Sequence, residues 1–224
     1  SKKYNLKLVN DNCHAMGAKI DSDKKYAIKY ADVVTQSFHP VKNITTGEGG
    51  AILTNDDKLY KKISIFRNNG MVQQKDKNWE YRVNELSMNF RITDIQCALG
   101  SSQLKKLDKF VKTRNNIAKN YNSIFKNETN ITTPFKDKKI YHAFHLYPLL
   151  IDFDNTRITK KKLFYKLKEK KINLQVHYVP LYYHNIFSKF TSKKKLPITE
   201  EFYNKEVSLP IYPNLKINLI KKVA

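Results

Sequence analysis

Glycine is scarce in this chain: there are six in 224 residues, and none forms a glycine-rich turn where a strand would lead into a helix. If a phosphate is gripped by backbone amides at such a turn, the turn lies outside these residues. Cysteine is scarcer still. Cys13 and Cys97 match neither a disulfide framework nor a zinc-site spacing, so no metal centre is expected and a reducing cytoplasm is the expected location. No apolar run approaches the roughly 20 residues that a membrane-spanning helix needs, and no signal peptide opens the chain, so no membrane partner is expected. Acidic residues are also few, 20 against 42 basic ones, which leaves a formal charge of +22. That excess invites a nucleic-acid reading, but arginine is short, with 5 Arg beside 37 Lys and 22 Asn. Readers of phosphates and base edges favour the planar fork of arginine. The lysines are scattered, as in Lys160-Lys161-Lys162 and Lys193-Lys194-Lys195, and read as solvated helix faces and loops. No nucleic-acid partner is expected. With 41% hydrophobic residues, the chain has enough apolar surface for one large domain or two small ones.

The patterning is that of an α/β protein. Leu6-Lys7-Leu8-Val9 reads as a short strand ending at Asn10-Asp11, followed by a strand at Val33–Phe38, a loop from His39 to Glu48 and a strand at Ala51–Thr54. Asp56-Asp57 opens a helix over Lys58–Phe66, with acids where the helix dipole favours them. From Thr93 to about Phe125 the pattern is helical. Ile95, Leu99, Leu104, Leu107 and Val111 lie near one face, and a break is predicted near Gly100-Ser101. Beyond it, a strand at Tyr147–Ile151, a helix over Thr159–Lys170 with a Thr N-cap, and a strand at Leu174–Tyr178 suggest a smaller α/β unit. The expected division is 1–115 and 116–224.

Chemistry concentrates in Ser37-Phe38-His39-Pro40-Val41-Lys42-Asn43-Ile44-Thr45-Thr46-Gly47-Glu48-Gly49-Gly50. It sets a lysine in a loop between two buried strands, five residues after a serine. A partly desolvated lysine can present a neutral amine to an aldehyde. With 37 lysines in the chain, residue type alone does not single out Lys42. Upstream, Asn10-Asp11-Asn12-Cys13-His14-Ala15-Met16-Gly17-Ala18 puts a carboxylate at a strand end, where α/β sheets present ligand groups, although helix capping is an equally ordinary use for it.

Together these segments resemble the DegT/DnrJ/StrS family of nucleotide-sugar aminotransferases. In that family a Ser-Phe-x-x-x-Lys segment precedes a Gly-Glu-Gly-Gly turn, and Glu-Asp-Ala-Cys-His-Ala-Leu-Gly-Ala stands upstream. The wording around Lys42 is especially similar to the branch that aminates a UDP-linked 4-keto sugar on the way to pseudaminic acid. Leu86-Ser87-Met88-Asn89-Phe90-Arg91-Ile92-Thr93-Asp94-Ile95-Gln96 is similar to the family's Leu-Gly-Tyr-Asn-Tyr-Arg-x-Thr-Asp-Ile-Gln, departing at Ser87-Met88. Val176-His177-Tyr178-Val179-Pro180, Ser208-Leu209-Pro210-Ile211-Tyr212-Pro213 and His145 also fall on family positions.

The resemblance implies a fold type I architecture: the C-terminal part of a mostly parallel α/β large domain, then a small C-terminal α/β domain. It implies pyridoxal 5′-phosphate as cofactor, carried by Lys42, with Asp11 at the pyridine nitrogen, His14 at the phenolic oxygen, and Ser37 and Asn89 as further ligands. Asn89 is expected to reach the cofactor of a neighbouring subunit, hence a homodimer. Arg91, His177 and Tyr178 are expected at the substrate, a nucleotide sugar (UDP-linked by the closeness of the motif), with an amino acid such as glutamate as donor. Family members carry a hundred or more residues ahead of the Asp11 position, so the chain reads as a C-terminal part that is inactive alone. Three other readings stay open: a related dehydratase, whose histidine at the lysine position contrasts with Lys42, a lysine-rich binding module without activity, and an inactive fragment.

Overall fold

The computed structural model describes residues 1–135, 137–187, 189–190 and 196–224, with Lys2 through its backbone alone. Lys193-Lys194-Lys195 lies outside the described residues. In chain order the elements are β1 (Val9–Asp11), β2 (Lys19–Ile20), α1 (Tyr26–Lys29), β3 (Val33–Ser37), β4 (Gly50–Leu53), α2 (Asp57–Arg67), β5 (Met71–Gln74), β6 (Lys77–Val83) and α3 (Asp94–Leu104). There follow α4 (Leu107–Ile124), β7 (Ile131–Thr132), β8 (Ile140–Tyr141), β9 (Tyr147–Ile151), α5 (Lys160–Glu169), α6 (Pro197–Lys205), β10 (Glu206–Leu209) and α7 (Ile217–Val223), with short 3-10 turns between some of them. They form two units, one of Ser1–Lys109 with Lys139–Ala143, the other of Phe110–Lys138 with Phe144–Ala224.

In the first unit the sheet order is β1-β3-β4. β1 and β3 run parallel, with Asp11 opposite Thr35, and β4 returns antiparallel with Gly50 opposite Ser37. β-Branched Val33, Val34 and Thr35 favour the extended chain, and Val34 is fully buried at the centre. Asp11 and Ser37 thus end two adjacent parallel strands at the same edge. α2 begins as its acids suggest, with Asp56 Oδ1 accepting from the Lys58 and Leu59 amides at 2.8 and 3.1 Å. The antiparallel hairpin of β5 and β6 is absent from the sequence reading. It lacks an Asn-Gly or Asp-Gly turn, Lys75-Asp76 standing at its tip instead.

The helical stretch does not break at Gly100-Ser101. α3 runs through both residues to Leu104, and the break falls at Lys105-Lys106. Gly100 is there for a close approach: a Cβ on it would lie 2.8 Å from Thr46 Cγ2. Because two helices replace one, the five apolar residues assigned to one face separate: Val111 is 1% exposed but Ile95 is 85% exposed. In an open helix Gly→Ala stabilises by about 1 kcal/mol. Here Thr46 is buried and its hydroxyl is held by Glu48 O at 2.7 Å, so the methyl cannot swing aside. Gly100→Ala is therefore expected to destabilise the protein by about 1 kcal/mol or more, and adding Thr46→Ser, which removes that methyl, to restore stability in urea unfolding.

The second unit packs α4, α7 and an antiparallel sheet of order β10-β9-β7. β9 forms where expected and alternates buried Tyr147, Leu149 and Ile151 with half-buried Pro148 and Leu150, the two-residue period of a strand with one face on the core. Tyr121 and Tyr147 are fully buried with ring centroids 4.9 Å apart. Their hydroxyls donate to Pro210 O at 2.9 Å and Asn122 Oδ1 at 2.6 Å, and burial pushes both phenols well above their ordinary range. Thr159 caps α5 as expected, accepting from Lys162 N at 3.3 Å. The first lysine of that run, Lys160, is not on a solvated face: it is half-buried over the Tyr203 ring and donates to Tyr203 O.

Arg114 on α4 is 4% exposed and its Nη1 donates to the carbonyls of Phe144 (3.1 Å), His145 (3.3 Å) and Ile211 (2.9 Å). Burial lowers its pKa to about 10. One side chain thereby satisfies carbonyls from two stretches of chain that are distant in sequence. Arg114→Met is expected to cost about 3 kcal/mol or more in urea unfolding, because hydrogen bonds to a charged donor are lost and buried acceptors are left unpaired.

The predicted strand at Leu174–Tyr178 does not form. Gln175 and Ser208 exchange two backbone hydrogen bonds, Ser208 N to Gln175 O at 2.8 Å and Gln175 N to Ser208 O at 3.3 Å, and the ladder stops there. The next pairing would join the His177 amide to the Glu206 carbonyl, but the Glu206 carboxylate takes that amide instead, at 2.8 Å.

Candidate functional site

The site is built on the ends of β1 and β3. Past Asp11 the ladder extends one bond further, Asn12 N donating to Thr35 O at 3.1 Å, and Asn12 is then buried with Oδ1 accepting from Tyr26 Oη at 2.9 Å. The turn that follows folds back on Asp11, whose Oδ1 accepts from Cys13 N at 3.0 Å. The Cys13 thiol and amide hold the Asp11 carboxyl below its usual range against an opposing effect of burial, and the fields of His14 and Lys42 add smaller contributions in the same downward direction. Burial, first, and Asp11, second, push the Cys13 thiol up. Asp11 is therefore anionic at neutral pH, and what its ionised form contributes to folding is lost only as the pH falls through the lowered value. His14 and Lys42 each lie within electrostatic reach of Asp11. Ser37 stands at the adjacent strand end, its Oγ accepting from His39 N at 3.4 Å.

Lys42 is half-buried on a turn anchored on several sides. Lys42 N donates to His39 O at 3.0 Å. Asn43, 5% exposed, donates from Nδ2 to Met16 O at 2.9 Å and Ala143 O at 3.2 Å, tying the turn to the segment after Asp11. Phe38 O receives both Thr45 Oγ1 and Thr46 N at 3.0 Å, and Phe38 N donates to Gly49 O at 2.8 Å. The last two glycines of Gly-Glu-Gly-Gly serve packing. A Cβ on Gly50 would sit 2.6 Å from Gln36 O, and Gly49, at φ +150°, would place one 2.5 Å from Thr46 Oγ1 and 2.9 Å from Ile92 Cδ1.

Sequence reasoning missed the residues that fix this turn: Asn43, Thr46 and Gln96. Gln96 had a legible signal, because Thr93-x-x-Gln96 spells a capping box. The box is present at the start of α3, and Gln96 Nε2 also donates to Glu48 O at 2.8 Å. One side chain thus starts α3 and holds the turn after Lys42. Asn89 and Arg91 lie just upstream and are exposed. Asn89 Oδ1 accepts from Arg91 N at 3.1 Å, Arg91 Nη1 donates to Asn68 Oδ1, and Asn68 bridges to Asn89. Among the described residues their hydrogen bonds run to each other and to Asn68, not to the Asp11–Lys42 group.

His177 and Tyr178 belong to the second unit. His177 Nδ1 is 2.7 Å from Ser208 Oγ, and its ring meets that of Tyr178 edge-on at a centroid distance of 4.6 Å. Tyr178 is exposed, whereas His145 is buried beside β9. Among the described residues no group of three or more His, Cys, Asp or Glu could hold a metal ion, and no helix is long and apolar enough to cross a membrane.

A family model described as the DegT/DnrJ/EryC1/StrS aminotransferase family matches residues 1–224. The chain belongs to this family. Over 224 residues it is 40% identical to a UDP-4-amino-4,6-dideoxy-N-acetyl-beta-L-altrosamine transaminase of Campylobacter jejuni, covering 100% of this chain and 58% of the relative. The Helicobacter pylori transaminase of the same name is 36% identical over 223 residues, again at 100% and 58%. Among solved structures, Helicobacter pylori PseC, an aminotransferase involved in the biosynthesis of pseudoaminic acid, superimposes with a TM-score of 0.89 at 34% identity, covering 99% of this chain and 58% of that one. The fold is therefore that of the α/β, fold type I aminotransferases, and the chain spans 58% of the length of these relatives. The DegT/DnrJ/EryC1/StrS aminotransferases use pyridoxal phosphate, and the donor set fits that group: an anionic carboxylate, a primary amine within its field and a hydroxyl at the neighbouring strand end.

Proposed function

We propose that this chain carries the cofactor lysine and pyridine-binding carboxylate of an aminotransferase that moves an amino group from an amino acid, glutamate in the first instance, to a UDP-linked 4-keto-6-deoxy sugar. The observation that supports this best is that His14 and Lys42 both lie within electrostatic reach of Asp11, which ends a parallel strand pair, in a chain 40% identical to a transaminase of that sugar class. Bound pyridoxal phosphate supplies an electron sink that stabilises negative charge at the carbon being deprotonated. Asp11 keeps a proton on the pyridine nitrogen through its own negative charge. Lys42 carries the cofactor through Nζ and, when released, takes the proton from the α-carbon of the donor as a general base. His14 and Ser37 bound the same site. Arg91, His177 and Tyr178 contribute to holding the nucleotide sugar.

The working unit in this reading is a cytoplasmic homodimer in which Asn89 reaches the neighbouring subunit's cofactor. The segment around Asn89 supports it: Leu86, Met88, Phe90 and Ile95 are 97%, 66%, 58% and 85% exposed, an apolar surface of the kind that marks association. The test is an amination assay of the intact protein with glutamate and 4-keto-6-deoxy sugars carried on UDP, dTDP or GDP. The expected result is a 4-amino product with the UDP sugar in preference to the others. Turnover of another nucleotide's sugar alone would correct the substrate, and loss of the sugar's 3-hydroxyl with no amine gained would replace transamination by dehydration.

A further inference from the structure

β10 carries two polar residues into the core of the second unit: Glu206 is 0% exposed and Ser208 is 4% exposed. Their hydrogen bonds lead to one place. Glu206 Oε2 accepts the His177 amide at 2.8 Å, Glu206 Oε1 accepts the Ser208 hydroxyl at 2.6 Å, and Ser208 Oγ lies 2.7 Å from His177 Nδ1. The protons can be assigned by elimination. Both carboxylate oxygens are acceptors, so the single hydroxyl proton of Ser208 points at Glu206. Ser208 Oγ can then only accept, and the nitrogen 2.7 Å away must be an N–H. Lys160, half-buried over Tyr203 with its ammonium on Tyr203 O, supplies positive charge near this carboxylate. Burial lowers its pKa, while Glu206 acts in the opposite direction.

We infer that Glu206 and Ser208 are positioning residues that lock His177 in its Nδ1–H form and fix the plane of its ring, so that the ring meets the nucleotide sugar in one protonation pattern. The inference rests on the placement of His177 at the substrate proposed above. It also explains why a carboxylate interrupts the backbone ladder: it fixes His177 at both the main-chain amide and the ring. A hydroxyl relay between carboxylate and imidazole directs the tautomer as a direct carboxylate contact would, and keeps the charge one residue further from the ligand.

The relay makes an unusual forecast for Glu206→Gln. The one oxygen left on the substituted side chain must accept the His177 amide, so its NH₂ faces Ser208 and donates to Oγ. The Ser208 hydroxyl then donates to His177 Nδ1, and the ring is forced into the Nε2–H form. In the intact protein labelled with ¹⁵N-histidine and assigned with His177→Gln, ring-nitrogen shifts under conditions where the ring is neutral should show Nδ1–H in the wild type and Nε2–H in Glu206→Gln. Ser208→Ala should relax the ring toward a mixture of forms, and Ser208→Thr should restore the wild-type pattern. The KM for the nucleotide sugar should rise about tenfold in Glu206→Gln and Ser208→Ala, the equivalent of one hydrogen bond, with the half-reaction of the amino donor unchanged. An Nε2–H wild type, or a tautomer indifferent to Glu206→Gln and Ser208→Ala, overturns the relay. A tautomer that inverts while the KM stays fixed overturns the substrate-positioning role. The spectroscopic comparison needs no substrate, so its failure is distinct from a failure of the proposed amination.

Discussion

Lys42→Ala is expected to lower amination by at least about a thousandfold, the scale on which positioned proton transfer and covalent attachment act together, while leaving the folded protein nearly as stable as before. The two halves of that statement have separate grounds. The loss follows from the proposed chemistry: without an amine at this point nothing would carry the cofactor or remove the donor proton. The retained stability follows from the geometry. The turn is held by Lys42 N on His39 O, by Asn43 on Met16 and Ala143, and by Thr45 and Thr46 on Phe38, and none of these bonds uses the lysine side chain. A small primary amine added to the assay should restore a trace of turnover to Lys42→Ala, because it can replace the missing base but not its placement. Steady-state rates together with urea unfolding check both parts. A variant that loses activity only because it unfolds would show Lys42 to be structural.

Asp11→Asn is expected to lower the proton-transfer rate by about a hundredfold or more, comparable with removing one fixed electrostatic partner from other active sites, with cofactor still bound. The mechanism is specific to charge. Asp11 is held in its anionic form by the Cys13 thiol and amide and, less strongly, by the fields of His14 and Lys42, and in the role proposed for it the negative charge is what would keep a proton on the pyridine nitrogen. The side-chain amide of the variant preserves shape and can still accept from the Cys13 backbone amide, so the turn after β1 should survive. Single-turnover kinetics with the amino donor alone isolate this step. A variant with wild-type single-turnover rates would show the Asp11 carboxylate to be a turn cap and nothing more, the reading that its 3.0 Å bond to Cys13 N would support by itself.

Strand ends were the most legible part of the fold. Val33-Val34-Thr35 is a short β-branched run and Tyr147–Ile151 a short apolar one, and the structure places β3 and β9 there to within a residue. Caps were equally direct, Asp56 and Thr159 both binding the amides their positions suggest. Three of the failures share a physical cause: they lie where a contact distant in sequence overrides the local pattern. Gly100 reads as a helix breaker until Thr46 is seen against it. Leu174–Tyr178 reads as a strand until the buried Glu206 carboxylate takes the His177 amide. Lys160 reads as solvated until Tyr203 is placed beneath its ammonium. Of the candidate site residues, Lys42 and Asp11 stand out through long motifs, whereas Asn43 acts on backbone atoms 27 and 100 residues away, beyond the reach of any local pattern. Asn89 shows another boundary, since its expected partner is a second subunit.

The central claim is that Lys42, alone among the chain's 37 lysines, carries the cofactor. Borohydride reduction of the intact, cofactor-loaded protein followed by proteolysis and mass spectrometry tests it most directly. The expected result is a single pyridoxyl modification, on the peptide containing His39-Pro40-Val41-Lys42-Asn43, absent from Lys42→Ala. A pyridoxyl group trapped on any other lysine, or stoichiometric trapping that persists in Lys42→Ala, would contradict it.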